Sequence, residues 1–241
     1  MNRVLRGVLL ALLFAVLCAC ASKPPTVAQG LELFESGDYT KAFEMLDALG
    51  RQGNAQAQQA LGVMYENGQG VKKDENLALS LYRQAASQNN ESAQYLLATM
   101  LERNSGLANT QSEAIKWYRL AATRGQPGAQ YRMGQLELTG VNGSAPDAPK
   151  ASYWFGLAAA QGDPQAQFQY GLLLMQGRAA SPDRVLGYMW IEIAQGMGDN
   201  TMIQAALQAS KSLSANELLS AKNMATQCIK QNYQSCSRLA R

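Results

Sequence analysis

The chain has 241 residues, with 21 Lys and Arg against 18 Asp and Glu and no histidine, for a formal net charge of +3. Without histidine it has neither the commonest general base nor a Ser–His, Cys–His or His-based zinc centre, and so even a charge balance lacks the footprint of a nucleic-acid binder. Much of the apparent basicity sits at the start: without residues 1–19, which hold Arg3 and Arg6, 19 basic residues face 18 acidic ones. Arg3 and Arg6 precede an apolar run from Gly7 to Ala19, 13 residues long. A spanning helix needs roughly 20 apolar residues, so this run is too short to cross a bilayer. A basic start, a short apolar stretch and small residues at its end predict a secretory signal peptide over residues 1–19.

The run ends Leu17-Cys18-Ala19-Cys20, which looks like the lipobox of bacterial lipoproteins, where cleavage falls just before a lipid-carrying cysteine. Cys20 follows small Ala19 whereas Cys18 follows bulky Leu17, so Cys20 is the expected lipidation site; an ordinary signal peptide that ends in cysteines is the alternative. The resemblance implies, with Ala21 rather than aspartate after the cysteine, a place at the bacterial outer membrane, facing the periplasm. Acyl chains contribute about 0.8 kcal/mol per buried methylene, and more than one chain anchors stably. Residues 20–28, with Pro24 and Pro25, read as a lipidated tether.

Beyond the tether a phrase recurs four times. A small residue follows a large one at Leu61-Gly62, Leu97-Ala98, Met133-Gly134 and Tyr170-Gly171, spaced 36, 36 and 37 residues apart. About 20 residues after each comes an aromatic or apolar pair and then alanine: Leu81-Tyr82…Ala85, Trp117-Tyr118…Ala121, Trp154-Phe155…Ala158 and Trp190-Ile191…Ala194. A fixed period in the mid-thirties made of two helix-length halves predicts a helical solenoid. In the first copy Ala57, Leu61, Gly62 and Tyr65 form the apolar stripe of helix A. Asn67-Gly68-Gln69-Gly70 stops that helix, Asp74 starts the next, and helix B buries Ala78, Leu81, Tyr82 and Ala85. Gly62, with no side chain, lets the partner helix approach. The order repeats from Ala93 to Gly125, Ala129 to Gly162 and Ala166 to Gly198, with a weaker turn at Asn104-Ser105-Gly106 and a longer, projecting loop expected from Gly140 to Pro149. Residues 30–53 read as a half-degenerate opening copy.

Residues 201–241 lack the phrase. Ser214 and Glu217 form a capping box that starts a last helix, expected to bury Leu218, Leu219, Ala221, Met224 and Ala225 and so cover the open end of the array. Cys228 and Cys236 remain in an oxidising compartment. In one unbroken helix they would lie about 12 Å apart, beyond the roughly 7 Å that a disulfide tolerates. A helix end at Gln231-Asn232 would let them pair, and a disulfide is expected, two free thiols being the alternative.

Chemistry is sparse. Glu66 and Glu102 share a repeat position, but glutamates there read as a solvated face rather than as an acid pair for glycoside cleavage. Asn67-Gly68-Gln69-Gly70 lacks the Gly-Lys-Ser/Thr ending of a phosphate loop. The sequence therefore predicts no enzyme, no metal site and no cofactor.

The string from Ala57 to Ala86, with Leu-Gly-x-x-Tyr, Asn-Gly-x-Gly-Val, Asp and Leu-Tyr-x-x-Ala-Ala, closely resembles the Sel-one-like repeat (SLR), a relative of the tetratricopeptide repeat; Ser112 to Gly125 is a second strong match. The resemblance covers about residues 29–200 and departs from the pattern at Ala98 and in the missing Gly-x-Gly-Val of the last three copies. It implies an all-α, right-handed α-solenoid of four to five antiparallel helix pairs over residues 29–200, with capping helices over 201–241. By analogy with tetratricopeptide arrays, the inner face would carry Gln59, Tyr95, Tyr131 and Phe168, then Val63, Thr99, Gln135 and Leu172. Three successive rings would offer a peptide large contact area at low entropic cost, or would simply pack between repeats. The expected function is a lipid-anchored scaffold for an envelope protein partner. The alternative is a binder of peptidoglycan fragments or a β-lactamase-like protein, since some cysteine-rich relatives have such associations; those carry a cysteine pair in nearly every repeat, unlike this chain.

Overall fold

The structure, a computed structural model, describes residues 26–103, 108–141, 144–179, 181–196, 199–233 and 236. The expected signal peptide, Cys20 and the turn Asn104-Ser105-Gly106 lie outside the described residues. Among the described residues the secondary structure is twelve α-helices without a strand, an all-α repeat solenoid. None of these helices is long and apolar enough to cross a membrane. The helices form two compact units that divide between Leu81 and Tyr82.

The first unit holds α1 (Val27–Glu35), α2 (Tyr39–Arg51), α3 (Ala55–Asn67) and the first half of α4 (Glu75–Ser87). The opening copy is thus a complete helix pair. Its first helix begins at Val27, inside the stretch read as tether, because Thr26 and Gln29 close a reciprocal capping box there. Asp38 caps α2 and Asn54 caps α3, each accepting from the backbone N–H three residues on. Ala42, Leu46, Ala57, Leu61 and Met64 make the core, with Phe43, Val71 and Leu81 packed on it. The glycine pair that distinguishes the first copy has a local cause. Gly70 has a positive φ of 70°, and a Cβ there would lie 2.5 Å from the Tyr39 carbonyl oxygen. Any side chain would push α2 away.

The second unit runs through α5 (Glu91–Arg103), α6 (Ala108–Thr123), α7 (Pro127–Thr139), α8 (Ala148–Ala159), α9 (Pro164–Gln176), α10 (Arg184–Gln195), α11 (Asn200–Ser210) and α12 (Ala215–Lys230). Helices α5, α7 and α9 are the A helices and α6, α8 and α10 the B helices of successive repeats. In the last two repeats, contact within a pair is close enough to require glycine at the position where α5 carries Ala98. A Cβ on Gly134 would sit 2.5 Å from the Phe155 ring, and one on Gly171 would sit 2.6 Å from the Gly187 carbonyl oxygen. Phe155, fully buried, contributes about 2–3 kcal/mol by its transfer from water.

The A-to-B turns close alike. The N–H of Asp74 donates to Tyr65 O at 2.9 Å, that of Asp147 to Glu137 O at 2.7 Å and that of Asp183 to Leu174 O at 3.0 Å. Each aspartate then caps its helix, its Oδ1 accepting from the N–H of Leu77, Lys150 or Leu186. The loop expected from Gly140 to Pro149 is longer than the other two, as read, but its end is corrected, and Asn142 and Gly143 within it lie outside the described residues. Pro149 belongs to α8, and Asp147 bonds a carbonyl ten positions back in the chain, where Asp74 and Asp183 each bond one nine positions back.

At the far end Ser214 and Glu217 form the capping box of α12, and Ala221, Met224 and Ala225 join the core of the last repeats. Leu219 corrects a second expectation, being 61% exposed. Adjacent residues on a helix point about 100° apart, so Leu218 packs inward and Leu219 outward. The chain turns after Lys230 through left-handed Asn232 and Tyr233, and Cys236 returns to bond Cys228 with Cα atoms 5.0 Å apart.

Candidate functional site

The helix A residues picked out by analogy stand on one face of each helix through i, i+4 spacing: Tyr95 and Thr99 on α5, Tyr131 and Gln135 on α7, Phe168 and Leu172 on α9. All six are half-buried. In the first unit Gln59 and Val63 of α3 are half-buried as well.

Tyr95 and Tyr131 are engaged by their own repeats. The Tyr95 ring stands 5.9 Å from the Tyr118 ring and lies over Gly128 at the start of α7, where a Cβ would come within 2.9 Å of it. Tyr131 makes the matching contact with Phe155 at 5.7 Å. Each ring thus couples helix A to helix B. Tyr131 and Phe168 are brought together in a shallow pocket of about 220 Å³, whose wall also includes Gln165, Gln169, Thr201 and Met202.

Thr99 and Gln135 belong to a hydrogen-bonded chain that joins the second and third repeats. The Tyr118 hydroxyl donates to Glu102 Oε2 at 2.9 Å and lies 3.2 Å from Thr99 Oγ1. Arg132 grips Glu102 with two nitrogens, Nε at 3.1 Å and Nη2, and extends Nη1 to Gln135 Oε1 at 3.0 Å. Gln135 Nε2 ends the chain on the Tyr131 hydroxyl at 2.8 Å. The reading of Glu102 as a solvated glutamate is corrected: its side chain is 32% exposed and forms an ion pair with Arg132. Burial raises the Glu102 carboxyl, but bonds from Arg132 and Tyr118 outweigh it and hold the group below the usual carboxylate range. Arg132 moves up in turn, chiefly through its hydrogen bond to Glu102. Burial drives the Tyr118 and Tyr131 hydroxyls up, so both stay protonated near neutrality.

One set of residues escaped the sequence reading. Gln58, Gln94, Gln130 and Gln167 are all buried, and each donates Nε2 to a carbonyl near the end of the preceding helix: Gly50, Ala86, Ala122 and Ala159, at 3.1 to 3.2 Å. The last four carbonyls of a helix lack the usual partner four residues on; each of these accepts from the N–H three residues on, and the glutamine adds a second donor from the next helix. Two are further held from their oxygen side, Gln94 by Arg124 and Gln130 by Gln161 at 2.7 Å. The signal was present as Ala-Gln recurring at the repeat spacing, a polar residue keeping the register of the core. Arg132 gave no such signal, because it occurs in a single repeat.

Chemically, the face offers rings, amides and hydroxyls that already bond to one another, an arrangement suited to holding a surface in register. Among the described residues no three His, Cys, Asp or Glu side chains lie together as a metal-binding group.

A family model described as Sel1 repeat matches residues 55–90, 91–126, 127–163 and 164–195. Among solved structures, a Sel1 repeat protein from Oxalobacter formigenes is 30% identical, with a TM-score of 0.64 over 73% of this chain and 72% of that one. The protein c5321, a protective antigen of uropathogenic Escherichia coli strains displaying an SLR fold, is 26% identical, with a TM-score of 0.56 over 82% of this chain and 50% of that one. A search of curated proteins finds no match.

Proposed function

Because the chain belongs to the Sel1 repeat family, we propose that it is a lipid-anchored scaffold that docks a protein partner in an envelope-associated complex. Sel1 repeat proteins are generally protein–protein interaction scaffolds and typically non-catalytic. The anchor is the lipid on Cys20, and the place is the periplasmic face of the outer membrane; the sequence Leu17-Cys18-Ala19-Cys20 after a basic, apolar start supports both. The docking surface is the helix A face of the second unit. The observation that carries it is the pocket where Tyr131 and Phe168 meet Met202, continuous through the Tyr131 hydroxyl and Gln135 with the Arg132–Glu102 pair. This pairing of a part-open aromatic with a rigid polar flank is the composition of an interface anchor.

The test is site-specific photo-crosslinking in intact cells with the full chain. A crosslinker at Phe168 is expected to capture one defined envelope protein, and one at exposed Lys116 on α6 is not. Equal capture from both positions, or none from Phe168, would contradict the docking site.

A further inference from the structure

The pocket on the helix A face has a wall that the docking reading leaves unused. Beside the rings of Tyr131 and Phe168 stands Asp199, the one charged residue of the lining. Asp199 is exposed and caps α11, its Oδ1 accepting from the Met202 N–H at 3.0 Å. Among the described residues its carboxylate has no other hydrogen-bond or ion-pair partner. A second acid stands close by. Asp163 caps α9, and its charge acts on the Tyr131 hydroxyl and helps to raise it. Arg132 acts on the same hydroxyl in the opposite sense, but its guanidinium is committed to Glu102 and Gln135. The pocket therefore has negative charge and no cation of its own to meet it.

The site is also small and set in place. Tyr131 is held at both ends, its ring 5.7 Å from that of Phe155 and its hydroxyl accepting from Gln135 at 2.8 Å. At about 220 Å³ the pocket lies below the roughly 300 Å³ at which sites for whole small molecules begin. It has room for one long side chain.

We propose that this pocket receives a lysine side chain of the protein partner. The inference rests on the helix A face being the docking surface. The lining chooses among side chains. An acidic one would meet Asp199 and Asp163 with no cation to pair it. An aliphatic one would cover Asp199 and leave the carboxylate unpaired, a costly burial. A lysine satisfies both demands: its methylene stem lies against Phe168 and Met202, and its ammonium pairs with Asp199 while facing the Tyr131 ring. Gln165, Gln169 and Thr201 complete the lining and offer oxygens to the remaining ammonium hydrogens. An arginine fork is matched to both oxygens of a carboxylate, and here one of them is engaged by the Met202 N–H.

The test uses the full chain, held in dodecyl maltoside, with ¹³C-labelled methionine methyls. Met202 is assigned by the loss of its signal in Met202→Leu. Acetyl-Gly-Lys-Gly-amide is expected to move the Met202 methyl saturably, and its norleucine and glutamate counterparts to leave it in place. Added salt is expected to weaken the lysine peptide. Asp199→Asn preserves the cap, since Asn caps as well as Asp. It is expected to keep the urea midpoint and to weaken the lysine peptide about fivefold, the upper worth of one exposed ion pair. A Met202 methyl unmoved by the lysine peptide would overturn the proposal. So would a norleucine peptide that binds equally, undiminished affinity in Asp199→Asn, or a shift produced by diacetylchitobiose and not by the lysine peptide. Photo-crosslinking from Phe168 separates this failure from that of the docking face. Full yield in Asp199→Asn would overturn the lysine pocket and leave the face standing. A Met202 shift with no crosslink would overturn the face and leave the pocket.

Discussion

Neighbouring residues in this chain have opposite careers. Gln58, Gln94, Gln130 and Gln167 are the same residue, buried, each bonded to the carbonyl eight residues before it. One step further along each helix stand Gln59, Tyr95, Tyr131 and Phe168, all half-buried and of three kinds. A helix turns about 100° per residue, which carries one position into the junction between helices and the next out to the edge of the face. Sameness marks the framework here, and variety marks the surface available for recognition.

Three substitutions break this comparison on the framework side, in falling order of effect. Gly171→Ala places a methyl group 2.6 Å from a backbone oxygen of α10 that cannot rotate away. Such overpacking is expected to cost about 3 kcal/mol, read as a lowered urea midpoint. Gln130→Met keeps the volume but removes the donor to Ala122 O and the acceptor of Gln161. Ala122 O keeps the Gly125 N–H, so the expected cost is that of the lost hydrogen bonds themselves, about 1.5 kcal/mol, by the same measurement.

Glu102→Gln is expected to cost about 1 kcal/mol, between the worth of an exposed ion pair and a buried one. It also removes a pH dependence. The folded-state pKa of Glu102 is lowered, so the unfolded chain binds its proton at higher pH than the folded one does. The Glu102 contribution is therefore complete above the unfolded carboxylate value and is lost as pH falls through the folded one. The stability difference between wild type and variant should shrink across that acidic window, and a difference constant with pH would show that the pair contributes nothing.

The framework was legible where it repeats in apolar residues. The period, the helix pairs and the capping box at Ser214 and Glu217 follow from spacing alone, since burying a stripe and satisfying the first N–H groups are local demands. The errors came from counting without geometry. The prolines up to Pro149 were counted as loop, yet Pro149 lies in the first turn of α8, and the Asp147–Glu137 bond closes a turn one residue longer than its counterparts. Leu218 and Leu219 both suit a core, but one helix face cannot hold both. The candidate site was legible as a set of positions and not as a set of bonds. Thr99 and Gln135 lie in one network only because Arg132 and Glu102 join them. A pair that forms once, between two repeats, leaves no periodic trace.

The most direct measurement takes two adjacent residues, Gln167→Ala and Phe168→Ala, and records for each the urea midpoint and the crosslinking yield of the envelope partner in cells. The Gln167 variant is expected to lose about 2 kcal/mol of stability, while what remains folded still docks. The Phe168 variant is expected to keep its midpoint within about 0.5–1 kcal/mol and to lose the crosslink. A Phe168 variant that is strongly destabilised yet still crosslinks would contradict the division of labour, placing both residues in the framework and the docking surface elsewhere.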